Sequence, residues 1–234
     1  MIDEVNLSKN IMASNSNLCN QLGTGETVIE RIEALRLIKN EKPVKETIDL
    51  TCDRVNKEPF YGVIIECLST LANYVINENI NDKEIKRYIY ERMKSLILDS
   101  FENNNKTYDK RVLASLILSF SQLKGQHSKQ DIELVKQFVN NDNWFIARSA
   151  IASLGKITST LQIENEKGKE NGIKDFISHE KKLEIIEFLK SIIKKEADID
   201  SLAKKSFRNL HARGAINGLQ NFSSDPNEKI ILDR

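Results

Sequence analysis

Arg148-Ser-Ala-Ile-Ala-Ser-Leu154 and Arg213-Gly-Ala-Ile-Asn-Gly-Leu219 are two copies of one short pattern, and this pattern decides the fold. In each copy a small residue follows the Arg closely, and an aliphatic residue follows one helical turn later. Arg31 and Arg111 begin two further copies of the same pattern. The pattern therefore marks one face of a helix that recurs along the chain.

A fifth copy, Phe60–Leu71, has Ile64 where the other copies have Arg. Self-similarity at a spacing of roughly 30–50 residues is typical of repeat architectures. The chain has 234 residues, which suffices for about five helical hairpins. We therefore predict an all-α fold: an α-solenoid, or right-handed superhelix, of about five antiparallel helix pairs of the HEAT or armadillo type.

Composition supports helices and restricts the classes of partner. Hydrophobic residues make up 40% of the chain and aromatic residues 6%, with three Pro and nine Gly. The net charge is +1, so the chain as a whole does not attract nucleic acid or anionic lipid. No apolar run reaches the length of about 18 residues that a membrane span needs. The three cysteines form no CxxC pair, and no signal peptide is visible; we expect a cytoplasmic protein with reduced thiols.

The pattern also predicts a domain organisation. Residues 1–15 have weak periodicity and are expected to be irregular. Residues 16–222 form the predicted solenoid, and residues 159–175 within it are a polar inserted loop. Residues 223–234 are expected to be a tail or the start of an incomplete repeat.

Local signals predict where several helices begin and end. Thr27-Val-Ile-Glu30 is a capping box that opens a helix to about residue 39. Pro43 and Pro59 are expected in the first turns of the next two helices, near 43–56 and 59–77. A long helix near 82–102 is predicted by an apolar stripe that ends at Leu98. Gly23-Thr24-Gly25 and Gly125 are expected to terminate the helices that precede them. Asp142 or Asn143 is expected to cap a helix near 144–158.

Within each copy, the pattern assigns residues to the core. The small residues are expected to let helix axes approach closely, and the aliphatic residues to fill the space further along the same face. These residues are Ala34, Cys67, Ala114, Ala150 and Ala215 for the small positions, and Leu37, Ile117, Leu154 and Leu219 for the aliphatic ones.

The recurring Arg and the aromatic residues before it are the candidate contact residues. The Arg side chains either bind an acidic partner or pair with an Asp or a carbonyl between neighbouring repeats; Asp109 and Asp142 lie at suitable turns. The aromatic residues either form a platform for a ligand or peptide or pack adjacent repeats together. The candidates are Arg31, Arg111, Arg148, Arg213, Phe60, Tyr61, Trp144 and Phe145.

No sequence signal for catalysis is present. His179-Glu180 resembles the first half of the zinc motif HExxH, but Leu183 occupies the position of the second His. The sequence also lacks a phosphate-binding loop, a dinucleotide fingerprint and a nucleophile elbow. We therefore predict no catalytic, metal-binding or cofactor-binding residue, and we predict that the chain is not an enzyme.

At these positions the chain resembles HEAT-type repeats, and in particular the C-terminal helical domain of M1-type zinc aminopeptidases. Val28–Leu35 resembles the segment that opens that domain. Lys57–Glu66 is similar to its DPFWGVRAEA stretch, with Tyr61 in place of Trp and Ile64 in place of Arg. Later repeats are similar to Asn143–Gly155 and Leu210–Leu219, so that the resemblance covers about residues 15–222.

The resemblance implies a non-catalytic role. In that family the helical domain folds back on the peptidase domain, helps to bound the substrate cavity and carries no zinc ligand. Both the HExxH and the GxMEN motifs are missing here, so the resemblance implies no catalytic residue. The abrupt end of the last repeat suggests a stand-alone remnant, a split gene product or a truncated reading frame.

Two functions remain open at this stage. The first is a scaffold or protein-binding module whose partner is a protein, such as a separately encoded peptidase domain. The second is an accessory part of a zinc aminopeptidase whose catalytic domain is encoded elsewhere or lost. A DNA-binding solenoid would need a basic concave groove, and the overall neutrality argues against it.

Overall fold

A computed structural model describes residues 20, 22–25, 27–77, 80, 82–102, 108–163, 176–197 and 215–216. The chain divides into two compact units, Met1–Val112 and Leu113–Arg234. In the described residues the fold is all-α, apart from one pair of two-residue strands. The predicted fold class is therefore confirmed at the level of an all-α protein.

The first unit contains α1 (Val28–Ile38), α2 (Lys45–Lys57), α3 (Tyr61–Ile76) and α4 (Lys83–Glu102). Helix α3 is central, because α1, α2 and α4 all pack against it, and α4 also contacts α2. Ala34 and Cys67, two of the predicted small positions, are buried. The core of this unit also contains Leu35, Ile38, Leu68, Leu71, Tyr74, Ile89, Met93 and Ile97.

Helix α5 (Lys110–Ser121) begins at the end of the first unit and continues into the second. The second unit then contains α6 (Lys129–Lys136), α7 (Trp144–Thr160) and α8 (His179–Ala197), and α7 packs against both α6 and α8. Between α7 and α8, β1 (Gln162–Ile163) pairs in parallel with β2 (Phe176–Ile177). The predicted small and aliphatic positions of this unit, Ala114, Ile117, Ala150, Leu154 and Ala215, are buried.

Several predicted helix termini are confirmed. Thr27 caps α1: its hydroxyl accepts a hydrogen bond from the Glu30 N–H at 3.2 Å, and the Glu30 carboxylate accepts one from the Thr27 N–H at 3.0 Å. Asn143 caps α7 by accepting from the Phe145 N–H at 3.1 Å. Gly125 follows α5 with a φ of 75°, a conformation that glycine adopts without steric cost.

Other expected termini are wrong. Pro43 precedes α2, which begins at Lys45, and Pro59 precedes α3, which begins at Tyr61 after an extended Phe60. Both prolines therefore lie outside the first turn. The fixed φ of a proline suits the extended segment before a helix as well as the first helical turn. The helical residues before α1 end at Thr24, within the expected segment Gly23-Thr24-Gly25. The expected left-handed cap is wrong, because among the described glycines only Gly125 has a positive φ.

The expected core face also needs two corrections, and the inserted loop one. Leu37 is 53% exposed, although its counterparts Ile117 and Leu154 are buried. In α4, Leu98 is 41% exposed because the buried stripe runs along Ile89, Met93 and Ile97. The polar loop begins later than expected, since Ser159 still belongs to α7. The strand pair that flanks residues 164–175 was not anticipated.

Several predictions fall outside the described residues. They concern the irregular segment 1–15, the tail 223–234, most of the last repeat with Arg213 and Leu219, and His211. In the part of the chain that the structure describes, no helix combines the length and the apolar character needed to cross a bilayer.

Candidate functional site

Phe60 lies at the turn between α2 and α3, and its ring reaches the surface. The residue is extended, with φ −97° and ψ 112°, as expected for the position before a helix. Phe60 is 39% exposed, and its ring lies 5.2 Å from the ring of Tyr61, centroid to centroid. A Cβ atom on Gly62 would lie 2.7 Å from Cε1 of Phe60, so glycine is needed for the ring to occupy this position.

The buried side chain of Glu58 holds the same turn in place. Its carboxylate is completely buried and accepts two hydrogen bonds of 3.0 Å from the Arg31 guanidinium. Arg54 lies 3.3 Å away on the same carboxylate, and the N–H of Phe60 donates to it at 3.1 Å. Arg31 also donates to the carbonyl of Gly25 at 2.9 Å. This cluster joins α1, α2 and the start of α3, and it orients Phe60.

Arg111 covers the ring of Tyr61. Its guanidinium carbon lies 3.6 Å from the ring centroid, within the range of a cation–π contact. The same guanidinium donates to both carboxylate oxygens of Asp109, at 2.9 and 2.8 Å. These hydrogen bonds hold the pKa of Asp109 at about 2, below its usual 3.8. We name Phe60, Tyr61 and Arg111 the aromatic–arginine surface.

Tyr108 lies next to this surface along the chain. Its hydroxyl donates to the side-chain oxygen of Asn56 at 3.0 Å. Burial, with a smaller contribution from the negative charge of Asp99, raises the pKa of Tyr108 to about 12. The hydroxyl is therefore neutral at physiological pH and acts as a hydrogen-bond donor.

Trp144 and Phe145 form a second aromatic pair, in the other unit. Their rings stack with centroids 3.5 Å apart and planes inclined by 25°. Phe145 is 41% exposed. Asn143, which caps α7, fixes the backbone of Phe145. In both units, then, an exposed Phe contacts a neighbouring aromatic ring at the beginning of a helix.

The two remaining candidate arginines, Arg148 and Arg213, contribute no contact to the aromatic–arginine surface in the described residues. Arg148 is half-buried in α7, and Arg213 lies outside the described residues. Of the two aspartates expected at the turns, Asp109 pairs with Arg111, while Asp142 is exposed. Arg31 pairs with a glutamate and a carbonyl, whereas Asp or a carbonyl was expected.

His127 and Asp131 are the one buried pair that resembles catalytic machinery in the described residues. Nδ1 of His127 lies 3.7 Å from the Asp131 carboxylate, and both side chains have 0% exposure. The His127 ring packs edge-on to Phe120 at 5.0 Å, and Asp131 accepts from the Ser128 N–H at 2.7 Å. The pair thus packs the core and closes the turn before α6.

A second charged cluster ties α2 to α4. Arg92 lies 3.5 Å from Asp49 and 3.8 Å from Asp53, and the hydroxyl of Tyr88 donates to Asp49. Beneath it, burial raises the pKa of Cys52 to about 11, an effect that Arg92 only partly offsets. Opposite charges are paired within the cluster, and it connects two helices of the core.

Known proteins provide no match to this arrangement. No family model matches the chain, and neither a curated protein nor a solved structure is significantly similar to it. The described residues also contain no group of three or more His, Cys, Asp or Glu side chains able to hold a metal ion. The role of the aromatic–arginine surface must therefore be inferred from its own geometry.

Sequence reasoning missed Glu58. The aromatic residues and Arg111 were identified because they belong to the recurring pattern. Glu58 does not belong to it, and it stands before Pro59 next to other charged residues. A possible signal was an acidic residue directly before a Pro and a predicted helix start. Its partner Arg31 is 27 residues away, so the pairing itself was not visible in the sequence.

Proposed function

We propose that the chain is a non-catalytic HEAT-type scaffold that binds a protein partner, with the aromatic–arginine surface as one contact. The observation that carries the proposal is an apolar ring, Phe60, that is 39% exposed although its position is fixed by neighbours. A ring that is ordered before binding loses little conformational entropy when a partner covers it.

The composition of the surface supports a protein as its partner. Tyr, Phe and Arg are enriched at the centres of protein interfaces. Arg111 is already neutralised by Asp109, so a strongly acidic ligand is not required. The unpaired thiols of Cys52 and Cys67 suit the reducing cytoplasm, the proposed compartment.

The test compares immobilised wild-type protein with F60S and with a matched control, I76S. Ile76 is 47% exposed and ends α3, so that it lies about 22 Å along this helix from Tyr61. Proteins captured from the source cells by wild type and I76S, but lost with F60S, would support the proposal. An identical set of captured proteins for all three variants would refute it.

The second function, an accessory part of a zinc aminopeptidase, is supported by the similarity of Lys57–Glu66 to DPFWGVRAEA. Phe60 and Gly62 of this stretch form part of the turn described above. The expected result is that the chain binds a peptidase domain that carries HExxH and GxMEN but lacks its own helical domain, and raises its activity. A peptidase of this kind that neither binds nor responds would exclude this second function.

A further inference from the structure

The outer face of α1 is unusual because its exposed residues are apolar at both ends and charged in the middle. Ile29 is 68% exposed and Leu37 53% exposed, and both are large aliphatic side chains that normally pack in a core. Between them lie the exposed charges of Glu30, Glu33 and Arg36.

These residues are arranged symmetrically about Glu33. Ile29 and Leu37 lie four positions before and after it, and Glu30 and Arg36 lie three positions before and after it. If a second α1 lies antiparallel across this face, with a two-fold axis at Glu33, then Ile29 meets Leu37 and Glu30 meets Arg36 of the other copy. Both contacts occur twice, as an isologous interface requires.

We propose that the outer face of α1 binds the same face of a second copy of this chain. The occupant is argued from charge complementarity: one pairing register matches apolar with apolar and Glu30 with Arg36 at the same time, and its two Glu–Arg contacts outnumber the single Glu33–Glu33 contact on the axis. The face includes none of Phe60, Tyr61 and Arg111, so this inference does not rest on the proposed function.

The size of the face determines how strong the association is. Helix α1 has 11 residues, and a helix of this length is about 16 Å long. The face is far smaller than the roughly 800 Å² per partner of a stable interface. The dimer is therefore transient and forms at high protein concentration.

Disulfide trapping tests the register directly. In a C19S background the remaining native thiols, Cys52 and Cys67, are buried. The E33C protein carries its new thiol on the two-fold axis and should form a disulfide-linked dimer under mild oxidation. The I29C protein alone and the L37C protein alone should not form this dimer. In each, the new thiol lies about 12 Å along the helix axis from the equivalent thiol of the second copy. A mixture of the I29C and L37C proteins should cross-link.

Charge variants test the same interface without cysteine. The two Glu33 carboxylates repel each other across the axis, so E33Q should increase the dimer fraction several-fold in sedimentation at high concentration. L37E should abolish the dimer while the helical circular dichroism is retained. Cross-linking of L37C to itself as fast as E33C, dimers that resist L37E, or monomers for both wild type and E33Q at every concentration would each overturn the proposal.

Discussion

Arg31 of α1 and Glu58, at the end of α2, form a bidentate ion pair, with both hydrogen bonds at 3.0 Å and with the Glu58 side chain fully shielded from solvent. Arg54 contacts the same carboxylate at 3.3 Å. The buried Glu58 carboxylate thus pairs with two guanidinium groups and also accepts a hydrogen bond from the N–H of Phe60. The position of the exposed Phe60 ring therefore depends on a charge that lies beneath it.

Replacing Glu58 by Gln should destabilise the first unit strongly. The amide keeps the shape of the side chain but removes the charge that Arg31 and Arg54 share, and loss of one partner of a buried pair typically costs about 3–5 kcal/mol. Urea unfolding followed by circular dichroism measures the loss. The control K57Q breaks an exposed pair with Asp53 and should cost roughly 0–1 kcal/mol. Equal stability of E58Q and K57Q would contradict this account.

Gly62→Ala should move the Phe60 ring with little effect on the stability of α3. The added Cβ would lie 2.7 Å from the ring, and the ring can turn away, while alanine favours the helix by about 1 kcal/mol over glycine. We expect altered ¹H shifts of the Phe60 ring and weaker partner capture without a fall in the melting temperature. The control G23A meets no atom within 4 Å and should leave these ring shifts unchanged. Wild-type ring shifts in G62A would show that glycine is not needed there.

Arg111→Gln should raise the pKa of Asp109 from about 2 towards its usual 3.8, because the hydrogen bonds from Arg111 are the largest cause of the lowered pKa. A lowered carboxyl pKa in the folded state stabilises the fold above pH 3.8, and this contribution is lost as the pH falls from 3.8 to about 2. Carbon-detected NMR titration of the Asp109 carboxyl measures the shift. Arg87→Gln, far from Asp109 in sequence, should leave its pKa unchanged. An Asp109 pKa that stays near 2 in R111Q would assign the lowering to other groups.

The two buried thiols should react slowly in the folded protein. Burial raises the pKa of Cys52 to about 11 and raises the pKa of Cys67 as well, so that little thiolate forms at pH 8. In a C19S background, a thiol reagent should label Cys52 and Cys67 only as fast as the protein opens around them. This labelling should be far slower than that of the exposed thiol that the E33C substitution adds. Labelling of all three thiols at one rate would show that Cys52 and Cys67 are accessible.

The same thiols should make the stability of the fold decrease at alkaline pH. A pKa raised in the folded state means that the unfolded chain loses the proton first, so stability falls as the pH rises from 9 towards 11. Measured by urea unfolding, C52A should flatten this fall relative to wild type. A C52A protein with the same alkaline slope as wild type would assign the effect to other groups.

Local signals in the sequence were reliable where the chemistry is local. The capping box of Thr27 and Glu30, the cap by Asn143 and the positive φ of Gly125 each depend on residues a few positions apart. Pro43 and Pro59 misled because a proline suits both the first turn of a helix and the extended segment before it. Their neighbours decide between these two environments.

By itself, the sequence determined the all-α class, the bounds of most helices and the burial of the small residues, because helix periodicity and capping are encoded over one or two turns. Only the tertiary structure decided that Glu58 would hold Arg31, that Arg111 would cover Tyr61, and that Leu37 would face outwards while Ile117 and Leu154 are buried. The physical reason is that equivalent positions of the sequence pattern share a helix face, but the packing of neighbouring helices determines whether that face is covered.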